Sequence, residues 1–186
     1  MFLLGGWILC TLCVDTISYI NVRLPEAVMA TAPPPAEKMI STLGTDAAEQ
    51  LLHHFAAEGN RLFLDRWETV EILLGVILVP LVYFAMDRRV PPVVLAGVML
   101  ILVLFQYFAV SSELAYRGRE TDFPPGRGNV VAEKRVWDLT EAYIVSEALL
   151  VLSGSVLAVY IASYKSRRRV RHGESVASRD AAMRGI

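Results

Sequence analysis

The sequence predicts an all-α integral membrane protein, a bundle of four membrane-spanning helices with an extracytoplasmic amphipathic helix before the second span. Four stretches, residues 2–20, 69–86, 90–110 and 143–163, carry few or no charges. Each approaches or reaches the roughly 20 apolar residues that an α-helix needs to cross a bilayer core of about 30 Å. A water-soluble core helix of this length would show one polar face.

A single membrane domain, residues 1–164, is therefore expected, since the 186-residue chain leaves no room for a second globular domain. A basic, disordered cytoplasmic tail is expected to follow over residues 165–186. Within the domain, we expect spans at residues 2–20, 68–86, 90–111 and 139–164, and outer loops at residues 21–67 and 112–138.

The first span is expected to stay in the protein rather than be cleaved as a signal peptide. No basic residue precedes Phe2, and no A-x-A cleavage site follows the apolar run. The span contains a C-x-x-C pair, Cys10 and Cys13, whose spacing indicates a redox or metal site in a soluble protein. On a lipid-buried helix the two thiols share one face, and we interpret them as small apolar side chains.

The two outer loops carry different local signals. In the first loop, residues 31–35 (Thr-Ala-Pro-Pro-Pro) predict an extended spacer. Asp46 and Glu49 then resemble a capped helix start, and apolar residues recur with a period of 3.6 from Ala48 to Trp67, with a bend expected at Gly59-Asn60. In the second loop, glycines and prolines predict turns; they are Gly118, Pro124, Pro125, Gly126 and Gly128.

The distribution of basic residues predicts the orientation. The hairpin at residues 87–89 and the tail after Tyr164 must lie on one side of the membrane, and together they hold nine basic residues against three acidic ones. Residues 21–68 hold four basic residues against seven acidic ones. Dense positive charge beside a membrane marks the cytoplasmic side, so both termini are expected in the cytoplasm, with the chain in a bacterial inner membrane.

Polar residues inside the spans form the candidate site. Asp15, Glu71, Gln106 and Glu147 come from four different spans, and the predicted topology puts all four in the outer half of the bilayer. Tyr143 lies one helical turn from Glu147. Ionisable groups within a membrane are costly and are candidates for function. The candidate ion-pair partners near the interface are Arg61, Arg66 and Arg135.

Three interpretations of this cluster remain open. It is structural if Glu71 and Glu147 pair with the arginines while Asp15 and Gln106 hydrogen-bond between helices, each such bond being worth about 0.6–2 kcal/mol. It is a cation or proton site if the carboxylates face a small outward-open cavity. It is an interface if the groups meet another membrane subunit.

The sequence offers little support for an enzyme, a cofactor protein or a nucleic-acid-binding protein. It has no P-loop, no G-x-S-x-G and no H-E-x-x-H. The three histidines, His53, His54 and His172, lie outside the spans, so neither a haem nor a metal site is expected. The basic cluster after span four suits anionic lipid on the cytoplasmic side.

Small residues mark positions of close helix packing. Gly5-Gly6 of span one and Gly154 of span four allow neighbouring helices to approach.

Several short segments of the chain form recognisable motifs: Leu4-Gly5-Gly6-Trp7, residues 58–68, residues 117–123, residues 135–143 and Glu147. Together they resemble a bacterial domain-of-unknown-function family of four-helix membrane proteins similar to eukaryotic transmembrane protein 205. The chain departs from the family in having Thr140 or Glu141 where a histidine is frequent. The resemblance implies a four-helix fold and brings no reaction with it.

The expected function is that of a non-enzymatic integral membrane protein, an accessory, assembly or interaction subunit. Its expected partners are the lipid bilayer and other membrane subunits or further copies of the chain, and no nucleic acid. The alternative is a small transporter, or a metal-tolerance or proton-coupled membrane protein, that uses the outer-leaflet carboxylates.

Overall fold

The structure is a computed structural model that describes residues 2–122 and 130–184, and within these ranges it is all-α, which confirms the predicted fold class. A π-helical turn interrupts the third long helix. The elements in order are α1 (Phe2–Ala30), α2 (Pro34–Leu43), α3 (Thr45–Ala85), α4 (Val90–Phe105), the π-turn (Gln106–Ser111), α5 (Ser112–Asp122) and α6 (Val130–Arg184).

Four helices are long and apolar enough to cross a membrane, and they confirm the predicted membrane bundle. They comprise Phe2–Ala30, Thr45–Ala85, Val90–Glu120 and Lys134–Tyr164. At 1.5 Å per residue, the 41 residues of α3 extend about 60 Å, twice the thickness of a bilayer core. The first half of α3 therefore projects from the membrane as the predicted amphipathic helix.

The loops are more helical than the sequence analysis expects. The extended spacer is limited to a short break before α2, because Pro34 and Pro35 occupy the first turn of that helix, where a missing N–H costs nothing. α3 continues through Gly59-Asn60 without a break. Gly118 lies inside α5, and the other expected turn residues, 124–128, lie outside the described ranges.

The basic tail also differs from the expected disorder, since the backbone of α6 remains helical to Arg184. The residues after Tyr164 include no proline and a single glycine before Gly185. Arginine and alanine, which are frequent there, are good helix formers.

The turn between α3 and α4 defines one end of the bundle, here called the hairpin end. Asp87 and Arg88 adopt positive φ angles of 50° and 61°, which reverse the chain sharply. The Tyr164 hydroxyl donates to Asp87 Oδ2 at 2.8 Å, and the Arg89 guanidinium lies 4.6 Å from the centre of the Tyr164 ring. The end of the fourth span is thus attached to the hairpin, as the topology requires. The opposite end, where α5 meets the projecting part of α3, is the loop end.

The core toward the hairpin end is apolar and closely packed. A Cβ at Gly154 would lie 3.1 Å from both Ile8 Cδ1 and Met99 Cε, whereas Gly5 has open space. The predicted close approach is therefore made by Gly154 and not by Gly5. The central buried residues are Leu4, Trp7, Leu78, Val82, Met86, Ala96, Met99, Val103, Leu150 and Leu157.

Candidate functional site

The buried polar side chains collect in the loop-end half of the bundle. In the described part of the chain, the buried polar residues are Thr11, Glu68, Glu71, Gln106, Ser146 and Glu147. We call Asp15, Glu68, Glu71, Gln106, Tyr143 and Glu147 the carboxyl cluster.

Glu71 joins α3 to α1. Its Oε1 accepts hydrogen bonds from Trp7 Nε1 and from Thr11 Oγ1, each at 2.9 Å. Trp7 and Thr11 are four residues apart, so they lie on the same face of α1. All three side chains are buried, and the two donors hold the Glu71 carboxyl group at a fixed position in the bundle.

Glu147 is held from the third span. Gln106 Nε2 donates to Glu147 Oε1 at 2.7 Å. The Tyr143 hydroxyl, one turn away on α6, is buried and close enough to Asp15, Glu68, Glu71 and Glu147 to interact with them electrostatically. Of the predicted site residues, Glu71, Gln106, Tyr143 and Glu147 thus lie together in the interior of the bundle.

Glu68 is a central member that the sequence analysis did not place in the cluster. Its carboxyl group is fully buried, and its Oε1 accepts a hydrogen bond from Ser111 Oγ. Glu68 precedes Glu71 by one helical turn, so both face the bundle interior. That i, i+3 spacing is the signal in the sequence that indicates it.

The π-turn explains why two residues of the third span reach two different carboxyl groups. In a π-turn the backbone bonds run from i to i+5, so residues five apart come to lie on one face. Gln106 and Ser111 are five apart at its two ends and contact Glu147 and Glu68. In a regular α-helix, Ser111 would point away from the face that carries Gln106.

The cluster has more acceptors than donors. Within the described chain, the second oxygen of each buried glutamate has no partner in good hydrogen-bond geometry. The Trp67 indole N–H lies near Glu71 and the Tyr143 hydroxyl near Glu147, but neither donor is aligned for a regular hydrogen bond. No salt bridge joins a described basic residue to any of these glutamates. The unpaired acceptor atoms are Glu68 Oε2, Glu71 Oε2, Glu147 Oε2 and Gln106 Oε1, and the Tyr143 hydroxyl, which can both donate and accept, is also unpaired.

The remaining predicted residues lie at the edge of the cluster or away from it. Asp15 is only half-buried. Arg66 and Arg135 are exposed. Both thiols of the C-x-x-C pair are exposed on the outer face of α1, where a membrane places lipid. Among the described residues, no three His, Cys, Asp or Glu side chains are arranged to hold a metal ion.

Arg61 pairs with carboxylates outside the membrane instead of with Glu71 or Glu147. Its NH1 and NH2 donate to the two oxygens of Asp122 at 2.7 Å and 2.9 Å, and NH1 also reaches Glu58 at 3.1 Å. Arg119 of α5 binds the two Glu58 oxygens at 2.6 Å and 3.1 Å. This set, with His54 at 2.9 Å from Asp122, is here called the ionic clamp. It ties the projecting part of α3 to α5.

The clamp shifts the acidity of both carboxyl groups. Burial alone would raise the pKa of Asp122, but hydrogen bonds from Arg61 and His54 outweigh it and lower that pKa. Hydrogen bonds from Arg119 and then Arg61 lower the pKa of Glu58 to about 2. Glu58 is ten residues before Glu68, about 15 Å along the helix, so it lies outside the bilayer. The carboxyl groups of Glu58 and Asp122 are therefore ionised at neutral pH.

A cavity of about 250 Å³ separates the clamp from the carboxyl cluster. Arg61 forms part of its outer wall, and Glu68 and Tyr143 belong to its inner wall. It is lined by Arg61, Leu64, Asp65 and Glu68 of α3, by Tyr107, Phe108 and Ser111 of the π-turn, by Ser112, Leu114 and Ala115 of α5, and by Tyr143 of α6.

Comparison with known proteins identifies no relative: no family model, no curated protein and no solved structure matches this chain.

Proposed function

We propose that this chain is a small, non-enzymatic integral membrane protein that binds and releases protons, or a monovalent cation in their place, at the carboxyl cluster. A role as a small transporter or a proton-coupled membrane protein would follow from that binding. The observation that carries the proposal is the set of unpaired second oxygens on Glu68, Glu71 and Glu147, each in a buried side chain.

Electrostatics supports this proposal over a purely structural role. Several carboxylates close together in a medium of low polarity repel each other strongly, and each loses its hydration. Their described surroundings supply no basic side chain in salt-bridge contact. The missing positive charge has to come from protons or from a bound cation.

The position of the cluster supports exchange with one compartment. The cavity connects Glu68 and Tyr143 with the loop end of the bundle, whereas the buried residues toward the hairpin end, such as Leu78, Val82 and Met99, are apolar. Exchange therefore takes place at the loop end, which the distribution of basic residues predicts to be extracytoplasmic.

An accessory or interaction subunit remains the second candidate, and a separate observation favours it. Leu51, Phe55 and Leu62 are exposed on the projecting half of α3, with Phe55 65% exposed. This part of the helix lies beyond the bilayer, where lipid does not cover it. A partner subunit or a second copy of the chain would find an apolar contact there.

Infrared difference spectroscopy of the purified protein in lipid nanodiscs tests proton binding directly. A carboxyl group that takes up a proton gains a C=O stretching band on acidification. We expect a buried carboxylic-acid band in the wild type that is diminished in Glu147→Gln. Glu26→Gln, which changes an exposed acid on α1, is the matched control and should leave that band intact.

The proposal would be overturned if folded Glu147→Gln and folded Glu71→Gln both kept the buried carboxylic-acid band of the wild type. Helix content and thermal stability measured on the same samples establish that the variants are folded.

Partner capture and topology are tested separately. Purification in mild detergent through a C-terminal tag would yield stoichiometric partners if the chain is a subunit.

We also propose that it lies in a bacterial inner membrane with both termini cytoplasmic. A reporter fused after Ile186 should then be active in the cytoplasm, and activity only outside the cytoplasm would contradict this orientation.

A further inference from the structure

The cavity at the loop end has the size of a very small ligand. Its volume of about 250 Å³ lies below the 300–1,000 Å³ that is typical of pockets for drug-sized molecules. It lies between the ionic clamp and the carboxyl cluster, so a ligand that enters from the loop end meets Glu68 before Glu147. The cavity therefore has the position of a substrate site for the proposed function.

The charge of the cavity favours a cation. Glu68 is 1% exposed, and its Oε2 has no hydrogen-bond partner in the described chain although the residue lines the cavity. Asp65 adds a second carboxyl group. Among the described residues that line the cavity, Arg61 is the basic one, and it is engaged by Asp122 and Glu58. An anion would meet the uncompensated carboxyl groups, whereas a cation would neutralise them.

The walls favour an organic cation over a metal ion. Hard metal ions require several oxygen ligands in a shell around them. Here the carboxyl and hydroxyl groups are accompanied by the aromatic residues Tyr107, Phe108 and Tyr143. Aromatic rings attract ammonium groups through cation–π interactions and also contact alkyl groups.

We propose that this cavity binds a small alkylammonium cation, whose N–H groups donate to Glu68 Oε2 and to the Tyr143 hydroxyl. The inference rests on the proposed function and names its substrate class. Because Tyr143 lies near both Glu68 and Glu147, a cation at Glu68 disfavours a second positive charge in the cluster. Binding of the cation and binding of the proton therefore compete.

The experiment is a binding titration of the purified full chain in nanodiscs with n-propylammonium. Ligand-observed NMR measures the affinity, and 1-propanol and propionate are controls of nearly the same shape with no charge or the opposite charge. We expect binding of the ammonium alone. Glu68→Gln should weaken it by about tenfold or more, because a charged hydrogen bond is lost. Glu26→Gln should not change it.

A second variant keeps the test independent of how the glutamate change affects folding. Ala115→Phe fills the cavity and leaves Glu68 charged, and it should abolish binding. The inference would be overturned if propanol bound as tightly as the ammonium, or if propionate bound more tightly. It would also be overturned if sodium ions competed at equal concentration, or if the folded Glu68→Gln protein kept the wild-type affinity.

The proton measurement separates this inference from the proposed function. Loss of ammonium binding while the band that depends on Glu147 persists would reject only the substrate class. If the wild type binds the ammonium but shows no band that depends on Glu147, only the proton site is rejected.

Discussion

The indole N–H of Trp7 and the carboxyl group of Glu71 are joined by a 2.9 Å hydrogen bond between residues 64 positions apart in the sequence. The bond lies within the membrane-spanning part of the bundle, where water does not compete for it. Thr11 shares the same acceptor oxygen. Polar contacts thus join the first helix to the second in addition to the apolar packing of Leu4 and Trp7.

Replacing Trp7 by phenylalanine should destabilise the bundle by about 0.6 to 2 kcal/mol, the range found for hydrogen bonds between membrane helices. An aromatic ring remains at position 7, so the loss in unfolding free energy measures the contribution of the indole N–H group. SDS-induced unfolding of the purified protein provides the free energy. Trp137→Phe, at a site that is 70% exposed, is the control and should have no measurable effect. Equal effects of the two changes would contradict the assigned role of the Trp7 bond.

Two glycines should respond in opposite ways to a large side chain. Gly154→Leu would place carbon atoms within the contact between Ile8 and Met99, and overpacking of this kind costs about 1–3 kcal/mol. Gly5→Leu points into open space toward lipid and should be tolerated. Thermal unfolding in one detergent compares them directly, and a Gly5 variant as unstable as the Gly154 variant would show that the packing is misassigned.

The ionic clamp depends on the absence of a side chain at Gly118. A Cβ there would lie 2.5 Å from Arg61 NH2, so Gly118→Ala must displace the guanidinium from Asp122. We expect the weakened Asp122 contact to offset the gain in helix propensity of up to about 1 kcal/mol from alanine, and that gain to appear in full when Gly118→Ala is made in an Arg61→Ala background. Gly59→Ala, on open helix surface, should instead stabilise α3 by up to about 1 kcal/mol through helix propensity. Additive effects of the Gly118 and Arg61 changes on the melting temperature would contradict the contact.

The Glu58 contacts should depend on pH in a defined direction. The folded-state pKa of about 2 lies below the ordinary value of 4.5, so the contribution is complete above pH 4.5 and is lost as the pH falls toward 2. The difference in melting temperature between the wild type and Glu58→Gln should therefore be constant near neutral pH and shrink in acid. Salt should also reduce it, because Glu58 is partly exposed. A difference that grows in acid would have the wrong sign.

The sequence was sufficient to predict the fold class and the grouping of the polar residues. Long apolar runs determine the four spans, and alternating span directions bring Asp15, Glu71, Gln106 and Glu147 to one level of the bilayer. That step needs only chain topology, so it requires no knowledge of side-chain packing.

The particular partners could not be predicted from the sequence. Whether Arg61 meets Glu71 or Asp122 depends on where α5 lies beside α3, which is a tertiary contact. The role of Trp7 as a donor depends on the rotation of α1, and an indole near the start of a span is equally consistent with an interfacial anchor. Likewise, the neighbouring turns of α3 decide whether the helix continues through Gly59-Asn60, because the low helix propensity of these two residues alone would favour a break.

The π-turn makes the effect of a length change in this region depend on its direction. It holds one residue more than an α-helical turn, so removing one residue between Gln106 and Ser111 would leave the two four apart in a regular helix, still on one face. Inserting a further residue would instead rotate everything beyond it by about 100°. Ser111, and with it the face of α5 that carries Arg119, would then turn away from α3, while the span before Gln106 stayed in place. A length change that a loop would absorb in either direction is tolerated here in one direction only, because insertion uncouples the extramembrane half of the protein from the intramembrane half.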